Sequence, residues 1–320
     1  MRSRSFAVSG AVLAVTALAS VTLAGCGDSG TDTPAAGGDK LDVVASFYPL
    51  QFVAQQVGGD NVRVETLTAP GVEPHDLELT PKQVGTLAAA KVVLFEKGLQ
   101  PAVDEAVEQN AKEAGFDVSA PAKLEATGAE FEHEEEAGHE EEAGHADELD
   151  PHFWLDPNKL ADVADAVAAR LAEKDSANAD GYKQRAATLR AELTKLDGEF
   201  TAGLKNCQRK AFVTSHEAFA YLAKRYGLEM VGIAGFTPDA EPTPARIKEV
   251  QDIVRKEKVT TIFYEELVSP KVAQSIATDL KVKTAVLSPI EGLSDANSTE
   301  DYFSLMRENL QELRKANDCT

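Results

Sequence analysis

The sequence predicts an α/β protein built as two lobes, each a parallel sheet with helices on both faces, joined by one long helix. Three observations predict it. From Lys40 onward, short β-branched runs alternate with amphipathic stretches, the pattern of strands linked by helical crossovers. The stretch 159–205 has no strand signal and carries one apolar stripe of helical period. That stretch lies between two alternating halves, in a chain long enough for two domains of roughly 100–200 residues each. An ordinary surface helix within one larger domain is the competing arrangement.

In the first half, strands are expected at 41–47, 62–67 and 91–95, with helices at 49–57, 81–90 and 101–114. In the second half, strands are expected at 211–215, 230–234, 260–264 and 284–288, with helices at 217–226, 244–257, 270–280 and 299–315. Several helices, among them those opening at Pro81 and Pro244, begin with proline, whose missing N–H costs nothing in a first turn. Gly58 and Gly227 stand where helices should stop. Between the halves, Tyr182, Ala186, Leu189, Leu193, Leu196, Phe200 and Leu204 recur every three or four residues along one helix face. The expected divisions are a first lobe over 40–158, a helical region with the linker helix over 159–205, and a second lobe over 206–320. Ligands of parallel sheets lie beyond the carboxyl ends of the strands, which places the expected site in the cleft between lobes.

The N-terminal segment reads differently. Arg2 and Arg4 precede an apolar run from Ala11 to Ala24 that is too short to span a bilayer. It ends in Leu23-Ala24-Gly25-Cys26, which resembles the lipobox of bacterial lipoproteins. The resemblance implies cleavage after residue 25 and a lipid on the sulfur of Cys26; the alternative is an ordinary signal peptide with an incidental cysteine. Residues 26–39, rich in Gly, Ser, Thr, Asp and Pro, have no apolar content to bury and read as a flexible tether. The expected location is therefore extracytoplasmic, anchored to the cell membrane rather than spanning it. Outside the cell a pair of thiols tends to oxidise, so Cys207 and Cys319 are expected to form a disulfide, two unpaired thiols being the alternative. They lie far apart, without CxxC spacing, and are not expected to hold metal.

Charge excludes one class of partner. Without the two arginines of residues 1–25, the chain carries 30 basic against 53 acidic residues. Nucleic acid needs a basic face and is excluded, whereas a cationic ligand is compatible. The acid is concentrated in 128–150, where Glu-Glu-Glu-Ala-Gly-His occurs twice, ending at His139 and His145, with His133 ahead of both. That segment contains no Lys or Arg, and self-repulsion with few apolar residues predicts disorder.

The remaining three of six histidines are His75, His152 and His216. Each follows or ends a predicted strand or loop at the carboxyl side of a lobe, and imidazole is the commonest neutral metal ligand. Their contexts, with two further segments, carry a specific resemblance: Pro74-His75-Asp76 with Glu78, Asp150-Pro151-His152-Phe153-Trp154-Leu155-Asp156-Pro157, Ser215-His216-Glu217-Ala218-Phe219, Glu241-Pro242-Thr243-Pro244, and Leu287-Ser288-Pro289-Ile290-Glu291-Gly292-Leu293. From about Leu41 to the C-terminus, in this order, they resemble the metal-binding lipoproteins of zinc and manganese ABC importers, the cluster A-I or ZnuA/AdcA-like proteins. The resemblance implies two α/β lobes on a rigid helix with only modest lobe movement, and a metal held by His75, His152 and His216. Its fourth ligand is open: many relatives use an aspartate after the last strand, where this chain has Ser288-Pro289, so Glu291 is nominated, with water as the alternative.

Three imidazoles and a carboxylate suit Zn²⁺, while Mn²⁺ prefers oxygen and the manganese members typically carry glutamate at the place of His216. The ligand types do not separate zinc from copper or nickel. The resemblance further implies an ABC-type permease as partner, a monomeric chain, and a metal-collecting role for His133, His139 and His145, against a plain solvated spacer. A manganese carrier, a surface adhesin and a secreted zinc hydrolase are the competing functions. The hydrolase is disfavoured because a site closed by four protein ligands leaves no position for water, and Ala137 stands where an HExxH motif from His133 would need its second histidine. Since imidazole must be neutral to bind metal, affinity is expected to fall below roughly pH 6.

Overall fold

The computed structural model of the chain describes residues 40–126 and 149–320. The first sheet contains β1 (Leu41–Ala45), β2 (Val62–Thr66), β3 (Val92–Phe95) and β4 (Gly115–Asp117), all parallel, in the order β2-β1-β3-β4. Its crossovers are α1 (Tyr48–Gly58), α2 (Pro81–Ala89) and α3 (Pro101–Asn110), with a short α4 (Ser119–Ala122) after β4. Central β3 is buried along its whole length because helices cover both faces, whereas edge strand β2 buries Val62 and exposes Arg63 and Glu65. Thr80 caps α2 through a reciprocal pair of bonds with Gln83, so the helix starts at Pro81.

Strand β4 escaped the sequence pattern. It has three residues, one of them glycine, too few to show a period. The amphipathic stretch entering it stops at Asn110 rather than Ala114, since the chain must turn to bring Gly115 alongside Val93. The N–H of Gly115 accordingly bonds back to the carbonyl of Ala111 at 2.8 Å.

The region 159–205 resolves into two helices, α5 (Pro157–Lys174) and α6 (Ala179–Leu204). The break falls at Asp175, whose carboxylate accepts from the Tyr182 hydroxyl at 2.6 Å and the Asn178 amide at 2.7 Å. At 26 residues, α6 is about 39 Å long. Its buried residues are Tyr182, Ala186, Leu189, Leu193, Leu196, Phe200 and Leu204, the stripe read from the sequence.

The second sheet repeats the first: β5 (Ala211–Thr214), β6 (Glu229–Gly232), β7 (Thr261–Tyr264) and β8 (Lys283–Val286), parallel, in the order β6-β5-β7-β8. Its helices are α7 (Ala220–Tyr226), α8 (Pro244–Lys256), α9 (Lys271–Leu280) and α10 (Tyr302–Asn317). Helix α7 starts at Ala220 rather than at Glu217, because the preceding residues turn to carry His216 and the N–H of Glu217 bonds the Gly235 carbonyl.

One apolar core runs from Val43 and Phe47 in the first lobe, through α1, α5, α6 and α10, to Phe212 and Phe219 in the second. Two smaller cores lie under the outer helices of each lobe. Spreading the lobes would expose apolar surface at about 25 cal/mol per Å², so the shared core opposes opening. Polar bonds add to it: the Tyr302 hydroxyl donates to the Trp154 carbonyl at 2.6 Å, the Trp154 indole N–H donates to the Pro289 carbonyl at 2.7 Å, and the Gly71 N–H donates to the Leu293 carbonyl at 2.7 Å. Cys207, before β5, and Cys319, after α10, are joined by a disulfide. Among the described residues, no helix is long and apolar enough to cross a membrane.

Candidate metal centre

Four separate connections each deliver one side chain to a single point. His75 comes from the β2–α2 connection, and His152 from the turn just before Phe153. His216 lies two residues beyond β5, and Glu291 lies in the β8–α10 connection. Their donor atoms all fall within 4.8 Å of one another. Glu291 Oε1 sits 3.4 Å from His75 Nε2, 3.2 Å from His152 Nε2 and 3.2 Å from His216 Nε2. The Nε2 atoms of His152 and His216 are 3.3 Å apart. His152 and His216 are fully buried and Glu291 is 2% exposed, and the His75 side chain, on a turn nearer the surface, is 7% exposed.

The backbone turns needed for this have identifiable causes. Ile290 adopts φ +58°, a left-handed conformation that disfavours a β-branched residue. Its burial and the contact of its N–H with Ser288 Oγ hold it there, and the turn directs Glu291 inward. Ahead of His75, the Pro74 carbonyl accepts from the buried Gln100 amide at 3.1 Å, and Gln100 also donates to Thr68 Oγ1. Gln100 thereby fixes the His75 turn to the start of α3.

Two carboxylates set which imidazole nitrogen faces the centre. Asp150 Oδ1 lies 2.8 Å from His152 Nδ1 and also accepts the His152 N–H at 2.9 Å. Glu265 Oε1 lies 2.8 Å from His216 Nδ1. With a proton held on each Nδ1, the Nε2 lone pairs are free to bind an ion, and the anionic partner raises their basicity. Sequence reasoning missed Asp150, Glu265 and Gln100 as site residues. The signals that could have found the acids were the position of Asp150 two residues before a candidate ligand and of Glu265 directly after a strand, at the carboxyl edge.

The charges reinforce one another. Burial would raise the Glu291 carboxyl, but His152, His216 and His75 around it hold it well below the usual carboxylate range. Burial would lower His216, yet Glu265 and Glu291 hold it well above the ordinary 6.5, and Asp150 with Glu291 raises His152 in the same sense. Without metal the surrounding acids thus favour the protonated forms of His152 and His216, and an ion must compete with protons to enter. Burial and the nearby Glu291 charge push Glu73 up to about 7.

Three convergent nitrogens and one oxygen, from neutral-capable imidazoles and an anion, are a donor set for a four-coordinate ion with about 2.0–2.2 Å bonds. His133, His139, His145 and Cys26 lie outside the described residues.

A family model described as "Zinc-uptake complex component A periplasmic" matches residues 43–316. The chain is 35% identical over 307 residues to the Bacillus subtilis high-affinity zinc uptake system protein ZnuA, covering 94% of this chain and 96% of that one. It is 33% identical over 289 residues to the Streptococcus pneumoniae zinc-binding lipoprotein AdcA, covering 87% of this chain but only 56% of AdcA, so it spans about half the length of that relative. The Zn(II)-bound ZnuA-like domain of S. pneumoniae AdcA superposes with a TM-score of 0.69 at 33% identity, covering 87% of this chain and 99% of the domain. The Streptococcus agalactiae laminin-binding protein Lmb, described as having adhesin and metal-transporting activity, gives a TM-score of 0.75 at 31% identity, covering 86% and 99%.

Proposed function

The chain belongs to the zinc-uptake complex component A family, and from that premise we propose that it captures Zn²⁺ outside the cytoplasm and delivers it to an ABC-type importer. The observation that carries this reading is the meeting of His75, His152, His216 and Glu291, from four connections, with their donor atoms within 4.8 Å. Zinc is the cargo, held by three imidazole nitrogens and one carboxylate oxygen.

Capture runs as proton exchange. His75, which also lines the neighbouring cleft, faces arriving metal first, and the ion then competes with protons for the Nε2 atoms of His152 and His216 while Asp150 and Glu265 keep the Nδ1 protons in place. Four protein donors leave no vacancy for a reacting water, which supports a carrier over a catalyst. The shared core opposes wide lobe opening, so release falls to the permease, which would shift the connections bearing the ligands rather than swing whole lobes. Cys26 is the lipid anchor of a monomeric protein on the outer membrane face, and His133, His139 and His145 collect zinc near the centre; deleting 130–145 should impair growth on limiting zinc.

Calorimetric titration with Zn²⁺ and Mn²⁺, beside His216→Ala, tests the reading. Tight zinc binding, weaker manganese binding and a loss of at least 100-fold in the variant are expected. Equal manganese binding by the wild type would overturn the choice of metal. Unchanged zinc binding by His216→Ala would overturn the site.

A further inference from the structure

Asp150 orients His152, and the position of Asp150 has its own cause. Its carboxylate accepts the His152 N–H and faces His152 Nδ1, an Asx turn that fixes the acid against its own backbone. That turn does not set where the backbone itself sits in the molecule. The backbone is tied down at its Asp150 end. The Asp150 N–H donates to the Glu125 carbonyl at 2.9 Å, and the Asp150 carbonyl accepts from the Tyr221 hydroxyl at 2.9 Å. The same hydroxyl accepts the Glu125 N–H at 2.8 Å. Asp150 is fully buried and Tyr221 is 2% exposed, so water cannot readily replace a lost partner there.

Tyr221 belongs to the other lobe. It lies on α7, directly downstream of His216 on the stretch of chain that carries that ligand. One turn later on the same helix face, Arg225 reaches Asp156, the cap of α5, at 3.4 Å, and Asp197 on α6 at 2.5 Å. Lys159 on α5 closes the outer side. Its ammonium lies 4.8 Å from the centre of the Tyr221 ring, 2.9 Å from Glu125 Oε1 and 2.7 Å from the Lys123 carbonyl. Helix α7 is thus seated on the first lobe, with a hydroxyl aimed at the main chain that precedes His152.

We propose that Tyr221 is a positioning residue for the metal centre: its hydroxyl holds Asp150, and through it the ring of His152. Helix α7 then controls a ligand of the first lobe as well as His216 of its own. The proposal rests on the reading of the four-residue cluster as the cargo site. A carboxylate behind Nδ1 supports metal binding only while it is aimed along the ring's N–H bond, because hydrogen bonds weaken steeply away from linearity. Losing the Tyr221 hydroxyl takes a donor from a buried carbonyl, and the turn moves to replace it, carrying the carboxylate off the imidazole. A partner that displaces α7 would therefore move His216 and loosen His152 together, a route to zinc release that needs no separation of the lobes.

The test is the rate at which the zinc-loaded protein loses its ion to an excess of chelator. Tyr221→Phe keeps the ring and removes the hydroxyl. It is expected to speed dissociation by about 3–10-fold, less than the 10–100-fold of a partner that touches the ligand itself. Asp150→Ala removes the group through which Tyr221 acts, so in that background Tyr221→Phe is expected to change the rate by less than about twofold. Proton NMR of the zinc-loaded protein gives a readout that a merely structural role leaves alone. With zinc on Nε2, His152 and His216 each keep a proton on Nδ1, and the two signals are assigned by their loss in Asp150→Ala and Glu265→Ala. Tyr221→Phe is expected to shift the His152 signal and leave the His216 signal in place, although His216 is nearer along the chain. Lys159→Met removes an ammonium that ties Glu125 beside the Tyr221 ring, and stands in should Tyr221→Phe fold poorly, with faster zinc loss again expected. A dissociation rate equal to wild type in Tyr221→Phe, or in Lys159→Met where it stands in, would overturn the proposal. So would a full effect of Tyr221→Phe in the Asp150→Ala background, or a shift of the His216 signal alone. Failure of the wild type to bind Zn²⁺ tightly would instead remove the cargo-site reading beneath it.

Discussion

Replacing Glu265 by Gln isolates what a carboxylate behind a ligand does. The substitution keeps the volume, and the amide oxygen can still accept from His216 Nδ1, which now lies 2.8 Å from Glu265 Oε1 with both groups buried. What is lost is the charge. A hydrogen bond to a charged group contributes about 1.5–3 kcal/mol against about 0.5–1.5 for a neutral one, and outer partners of this kind typically set affinity by about 10–100-fold. The expected loss is therefore about 1.4–2.7 kcal/mol in zinc affinity. A second effect opposes it. Glu265 also favours the protonated form of His216 in the metal-free state, so the variant meets less proton competition. The net loss should be full near pH 8.5, where proton competition is weakest, and smaller near pH 6.5. Competition titrations against a fluorescent zinc chelator at both pH values measure it. An affinity within twofold of wild type at pH 8.5 would refute the orienting role of Glu265.

For the wild type, His216 and His152 are raised above 6.5, so zinc affinity should already decline between pH 8 and pH 6, earlier than isolated imidazoles predict, with proton release detectable by calorimetry in buffers of different ionisation enthalpy. In the metal-free protein, the stability contributed by the raised His216 is present below the imidazole's unfolded value and fades as pH rises through its folded value. The contribution of the depressed Glu291 is lost only in acid, as pH falls through its folded value. Tyr302→Phe removes a 2.6 Å bond and strands the buried Trp154 carbonyl, which should cost about 1–3 kcal/mol in denaturant unfolding. Leu193→Ala, at the fully buried middle of α6, should cost about 2–5 kcal/mol by the same measurement. Paired Cys207→Ser and Cys319→Ser should lower stability by about 2–5 kcal/mol and leave zinc affinity within twofold, because the disulfide lies at the other end of β5 from His216.

Features that depend on near neighbours along the chain were legible in the sequence. Strand and helix alternation, the proline-led helix starts and the stripe on α6 are written in periods of two and 3.6 residues, which need no knowledge of distant partners. The three histidines stood out because each lies in a short, distinctive context. Which groups meet depends on how the strands and their connections assemble. Glu265 is 49 residues from His216 and carries no motif, and it becomes His216's partner because β5 and β7 are adjacent in the sheet. Asp150 acquires its role from a turn in which one carboxylate reaches both the N–H and Nδ1 of His152. Strand β4 exists because β3 offers it an edge, and one core rather than two lies between the lobes because α6 buries its stripe against both. The physical reason is common to all of these: periodicity acts over a few residues, whereas the placement of charge in a low-dielectric interior is set by whichever strands end side by side.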